Sequence, residues 1–260
     1  YIGSIDSEIN DWPLIENTLY YNQKLINLLN MAAGDQNYIN EFKHNPNSIL
    51  ANLSYEYETN TIMNTINRYF INTTKAKKNP YNYSGFITQL LLNYIKHKTG
   101  DDFEDLLKDI IQNKVKNKHS VYFNELKYTL DKYGNGHPMV RMTRFDYLRL
   151  AKAIMDDYQN DTCVGKYLKE IHKRRIPKRY NENIHEPEFN RTKSYGGQFH
   201  FDYPGLKNKV IFGMGGYGGQ AILIDMENSR IVVLNSLHYN NTKYKYNHKK
   251  LLFDVIKNGR

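Results

Sequence analysis

A chain of 260 residues, 40% apolar and 24% charged, has the composition of a folded globular protein and not of a disordered chain; it is long enough for one large domain or two interleaved ones. A single cysteine, Cys163, excludes an internal disulfide and any thiolate metal cluster made by this chain alone. The formal net charge of +9 falls in separated runs (Lys169 to Arg179, Thr73 to Lys78, Asn247 to Lys250), so it reads as solvated surface; a polyanion or membrane-surface role is the less favoured alternative and no nucleic acid is expected.

Helices are expected first and strands last. Leu25, Leu28 and Leu29 fall at helical spacing, with Gly34 as the stop. Ile62, Ile66 and Phe70 mark one side of a helix between Ser54 and Phe70. After Pro80, a wide apolar stripe (Phe86, Leu90 and Tyr94 beside Ile87, Leu91 and Ile95) predicts a helix closed by Gly100. Asp101 to Glu104 then read as the N-terminal cap of a helix with Phe103, Leu106, Leu107, Ile110 and Ile111 on its apolar face. Thr143, three residues before Asp146, is expected to cap another helix through Met155.

Strands are predicted at 197–203, 209–214, 220–225 and 231–234, the last two joined by the hairpin-length Met226-Glu227-Asn228-Ser229. Tight links argue for an antiparallel sheet, with a final helix over 248–257 able to lie across it. The class is α+β: a mainly helical region, 1–190, and sheet strands with a C-terminal helix, 191–260, in the same domain. No run approaches the roughly 20 apolar residues of a membrane helix, and the compartment stays open.

Between Gly213 and Gly219 five glycines crowd into seven residues at the entrance to a strand. They suit a bulge or tight turn needing positive φ, or a strand edge along which a substrate backbone lies close because no Cβ blocks it. The histidines show no His-Glu-x-x-His spacing, so no metal is expected. His200, between Phe199 and Phe201, is a structural histidine or faces a cleft; Asp11-Trp12-Pro13 is a packed turn whose tryptophan could also line one. Lys98-Thr99-Gly100 reads as a helix end, with Gly as the cap and Lys complementing the dipole.

Four stretches, in order, resemble the serine β-lactamase-related hydrolases, a group with class C β-lactamases, low-molecular-weight penicillin-binding proteins, esterases and 6-aminohexanoate-dimer hydrolases. They are Ser4 to Leu14 with the following LINLLNMAAG, Tyr83-Ser84-Gly85 before its helix, Met142 to Asp146, and Gly215 to Gln220. The resemblance implies a β-lactamase/transpeptidase-like fold and an acyl-enzyme route on a small-molecule ester or amide, with no cofactor. It casts Tyr83 as proton relay, with Tyr81 the fallback if the register slips, and backbone N–H groups of Gly218 and Gly219 as oxyanion donors. Gly85, Gly216, Tyr217 and Gln220 would line the substrate.

Two departures narrow the substrate. Gly85 stands where the family has asparagine; Gly216, or Gly215 or Met214 in a shifted register, stands where it has lysine or histidine, and Tyr217 where it has threonine. The charge-assisted anchor for a β-lactam carboxylate is therefore missing. No serine is followed three residues later by lysine, the family's nucleophile motif. The chain begins Tyr1-Ile2-Gly3 without methionine, and a fragment lacking its N-terminal strands and nucleophile helix, inactive as it stands, is expected. The competing expectation is a degenerate, non-catalytic binding or scaffold relative.

Overall fold

A computed structural model describes residues 3–33, 62–75, 81–123, 140–178, 192–206, 208–216, 220–235 and 248–259. The chain separates into two units, Tyr1–Leu106 with Tyr122–Arg141, and Leu107–Val121 with Met142–Arg260. Two helices upstream of residue 190 fall in the unit of the sheet, which gives them the apolar surface they need.

In the first unit, β1 (Glu8–Ile9) pairs antiparallel with β2 (Gln23–Lys24), which runs directly into α1 (Leu25–Leu29). That helix ends at Asn30, and Met31 takes a φ of 53°; the expected stop at Gly34 lies outside the described residues. Helix α2 (Ile62–Tyr69) is the described part of the helix expected from Ser54. Helix α3 (Gly85–Thr99) runs as its stripe predicts, burying Phe86, Ile87, Leu90, Leu91 and Tyr94, and Gly100 ends it with a φ of +55°. Phe86 stacks on Phe70 at 4.9 Å, and Tyr20 meets Phe70 edge-on at 5.1 Å.

Asp101 and Asp102 fall in a 3₁₀ turn, Gly100–Asp102, ahead of α4 (Phe103–Lys108). The helix then widens into a π turn over Asp109–Lys114 and so covers the expected apolar face in two helical forms. β3 (Tyr122–Phe123) and β4 (Val140–Arg141) form a two-residue antiparallel pair.

In the second unit, α5 (Arg144–Gln159) starts at Thr143, whose hydroxyl accepts from the Asp146 N–H as expected. α6 (Cys163–Lys173) was masked in the sequence by its basic text; Thr162 caps it by accepting from Gly165 N–H, and Leu168 and Ile171 are its buried face.

Six antiparallel strands follow: β5 (Ile176–Pro177), β6 (Ser194–Gly196), β7 (Phe199–Phe201), β8 (Ile211–Gly215), β9 (Ala221–Asp225) and β10 (Arg230–Leu234), in spatial order β10-β9-β8-β7-β6-β5. The single strand expected over 197–203 is instead a hairpin. Gly197 and Gln198 both take positive φ, 54° and 69°, which turns the chain in two residues. Gly197 also lies so close to Ile171 of α6 that a Cβ would collide with its Cδ1.

Cross-strand partners share a face, so register assigns the layers. Phe201, Phe212 and Ile224 lie on one face, where His172 of α6 meets Phe201 at 5.2 Å and Tyr158 of α5 meets Phe212 at 5.9 Å. Ile211 and Leu223 lie on the other, packed with Leu252 and Ile256 of α7 (His248–Asn258). The sheet is thus covered by α5 and α6 on one side and α7 on the other, an α+β layering.

Candidate functional site

Strand β8 presents two glycines on one face with opposite surroundings. Gly213 pairs with His200 of β7 and Leu223 of β9. A Cβ at Gly213 would overlap the Tyr203 hydroxyl and stand 2.6 Å from that ring's Cζ, so the tyrosine fills the space a side chain would take. Tyr203 is brought there by Asp202, whose φ of 54° folds the chain back after β7, and its ring is held edge-on to Phe253 of α7 at 5.5 Å.

At Gly215, two residues on, the nearest atom to a Cβ would be the Gln220 carbonyl oxygen at 3.9 Å. Neither Gly213, Gly215 nor Gly216 has positive φ, so no turn conformation demands a glycine at any of the three. Among the described residues, packing demands one at 213 and not at 215. The hairpin is closed by Gly216 N–H donating to Gln220 O at 2.9 Å; Gln220 Oε1 lies 2.8 Å from the Gly216 Cβ position, a contact that a flexible amide can yield. The β7–β8 ladder is registered only at His200↔Gly213, so past that point the β7 side of β8 has no ladder partner among the described residues. What results, among the described residues, is a short strand edge of bare backbone whose Gly215 Cβ position meets nothing nearer than the Gln220 carbonyl oxygen.

Of the residues expected in the site, Gly216 and Gln220 flank this edge, and Tyr217, Gly218 and Gly219 lie outside the described residues. Tyr83 and Gly85 belong to the first unit. Gly85 is the first residue of α3, and Tyr83 stands two residues ahead of it with 59% of its surface exposed. The protein around the phenol still raises its pKa by desolvation, the direction opposite to that of a nearby ammonium. Asn82 N–H donates to Met31 O at 2.7 Å and ties this turn to the end of α1.

The triad Lys98-Thr99-Gly100 does end a helix. Lys98 donates to Asp11 at 2.5 Å, and Thr99 donates to Ile95 O at 2.9 Å. The Lys98 bond, the largest influence on Asp11, holds that carboxyl below its usual pKa. Tyr94, driven by burial and then by its own bond to Asp11, is pushed up to about 12. Trp12 is buried, stacked on His97 at 5.8 Å, which settles it as a packed turn.

His200 is a bonded residue on the face of Gly213: its Nδ1 lies 2.6 Å from Lys178 Nζ, and Lys178 also donates to Thr192. On the opposite face Ser194 and Arg175 donate to Asp202. Burial there favours the neutral acid, but these bonds prevail and keep the carboxyl below its ordinary pKa. Asp146 follows the same logic: it is fully buried, yet bonds from Lys118 N–H, Thr143, His119 and Arg149 hold it well below the carboxylate range.

Sequence reasoning missed Tyr203 as the partner of Gly213; the turn Pro204-Gly205 after it was the available signal. Among the described residues no group of three His, Cys, Asp or Glu could hold a metal ion, and no helix is long and apolar enough to cross a membrane. No family model matches the chain, and no curated protein matches it.

Proposed function

We propose that the open end of β8 is a substrate-binding strand of a serine hydrolase of the β-lactamase-related class, acting on an ester or amide through an acyl-enzyme intermediate. The observation that carries this reading is Gly215, a glycine that neither its φ nor the packing of the described residues requires, on a strand edge without a ladder partner among those residues. Bare backbone in such a place admits an extended acyl group and can donate N–H groups to it, the arrangement acyl transfer needs when a carbonyl oxygen becomes an anion. An antiparallel sheet covered by helices on both faces supports the same reading.

In this proposal Gly218 and Gly219 supply oxyanion donors, Gly216 and Gln220 shape the strand entrance and Tyr217 contacts substrate; Tyr83 as proton relay and Gly85 as substrate contact, both in the first unit, are carried by the resemblance alone. The route requires a nucleophile, a serine three residues before a lysine, and no serine of this sequence has that lysine. Lacking a cation in the strand motif, the site takes a substrate without the carboxylate of a β-lactam. The test is the protein expressed with the coding sequence that precedes Tyr1 and treated with a fluorophosphonate probe. One labelled serine in a serine-x-x-lysine setting is expected, together with hydrolysis of a p-nitrophenyl ester. Tyr83→Phe should slow that hydrolysis by about 10²–10⁴-fold. Absence of labelling, the outcome for a scaffold protein, or labelling at any serine from Ser4 to Ser236, refutes the proposal.

A further inference from the structure

The second unit holds a carboxylate–imidazole pair that the proposed hydrolase does not use. Asp146 is fully buried at the start of α5, and its Oδ2 lies 2.9 Å from His119 Nδ1, yet 53% of the His119 side chain is exposed. Lys118 N–H and Arg149 donate to the other oxygen at 2.8 Å each, and the Thr143 hydroxyl donates to Oδ2 at 2.9 Å. Burial opposes the charge of this carboxyl and the bonds prevail, so at neutral pH it is ionised and only accepts. Nδ1 therefore carries the ring hydrogen, and in the neutral imidazole Nε2 holds a lone pair. Among the described residues nothing bonds to that nitrogen.

The loop that carries His119 is fixed. It leaves the π turn at the buried Val115, whose N–H donates to Ile110 O at 2.8 Å. Asn117 N–H reaches Ile111 O at 3.3 Å, and its side-chain amide donates to His119 O at 2.6 Å. A ring held at Nδ1 by an ionised acid and at its backbone by this loop keeps one tautomer and one orientation. Positive charge that forms on the ring when Nε2 takes a new bond is stabilised by the carboxylate behind it.

The charges beside the ring select what Nε2 attacks. Lys116 and Lys118 on the same loop, and Arg144 next to Thr143, are exposed, and none of the three forms an ion pair among the described residues. Those residues also include no group of three His, Cys, Asp or Glu that would make His119 a metal ligand. An anionic electrophile suits this setting, since Lys and Arg favour phosphoryl oxygens.

We infer that His119 is a phosphoryl-acceptor site whose Nε2 takes the phosphoryl group of a small activated phosphate, a phosphoramidate or an acyl phosphate. The Nε2 lone pair forms the N–P bond as the bond from phosphorus to the leaving group breaks. That electron pair departs with the leaving group, and Nδ1 keeps its hydrogen toward Asp146. Nothing is oxidised or reduced. The step is independent of the β8 strand and of any serine.

The test is the chain treated with phosphoramidate, with phosphohistidines located by mass spectrometry and their ring position read by phosphorus NMR. His97 is the internal reference: it is exposed too, but its Nε2 lies 3.1 Å from the Asp11 carbonyl oxygen. His119 should be modified at Nε2 alone and at least about tenfold faster than His97, the factor that one charge-assisted hydrogen bond carries. His119→Gln should remove that product and leave the rate at His97 unchanged. Asp146→Asn, with its fold checked by thermal melt, should slow His119 to the His97 rate and admit the Nδ1 product. Where this buried substitution unfolds the chain, the rate and ring position in the parent decide alone. A His119 rate no greater than that of His97, an Nδ1 product in the parent, or a folded Asp146→Asn chain that reacts as fast as the parent overturns the inference.

Discussion

Gly213 and Gly215 sit two residues apart on one face of one strand, and they are glycines for different reasons. The inner end of β8 is packed. Tyr203 occupies the space over Gly213, and Ile211 pairs with Asp225, which is fully buried. That carboxylate accepts from Lys209 at 3.1 Å and from Asn228 through both backbone and side chain. At the outer end the β7 ladder has stopped, and among the described residues only the Gln220 carbonyl oxygen, 3.9 Å away, comes near the position over Gly215. A residue type that packing explains informs about stability; the same type left unexplained by packing is where the proposed substrate would lie.

Substitutions at the two ends should therefore separate stability from activity. The largest stability loss is expected from Asp225→Ala, about 3 kcal/mol in chemical denaturation, because Lys209 and Asn228 lose the buried charge that satisfies them. Gly213→Ala should cost about 2 kcal/mol through the clash with Tyr203, and a second change, Tyr203→Ala, should make the alanine nearly neutral in a double-mutant cycle.

A smaller, graded effect comes from pH. Burial alone would raise the Asp225 pKa, but the Asn228 and Lys209 bonds outweigh it and hold the folded value below the ordinary one. The unfolded chain therefore binds this proton more readily. The Asp225 contribution is complete above the unfolded pKa of about 3.9 and drains away as pH falls through the lower folded value. Denaturation midpoints measured from neutrality down to strong acid should be flat with respect to this group until about pH 4 and then drop, and Asp225→Asn should flatten that drop.

How much of this was legible from sequence depends on whether the deciding contact is local. The α3 stripe, the Thr143 cap and the β9–β10 hairpin around Met226–Ser229 rest on residues a few positions apart, and they form where expected. The β6–β7 hairpin was hidden because Phe199 and Phe201 alternate into Gly197-Gln198 without a break, and only two positive φ values reveal the turn. Helix α6 was obscured because its apolar residues, Leu168 and Ile171, are spaced among lysines that read as solvated surface. In the site, the glycine cluster was visible as a pattern. Which glycine answers to packing was not, since Tyr203 reaches Gly213 across ten residues of chain and a turn.

Gly215→Val in the protein carrying its upstream coding sequence is the direct test of the account, with melting temperature and fluorophosphonate labelling rate read on the same sample. A strand reserved for substrate predicts a melt within about 0.5 kcal/mol of the parent, as at other uncrowded positions, and labelling slowed by at least about 10²-fold as the new side chain blocks the edge and its donors. Labelling at the parental rate, with or without a loss of stability, would show that nothing binds along β8 and would contradict the account.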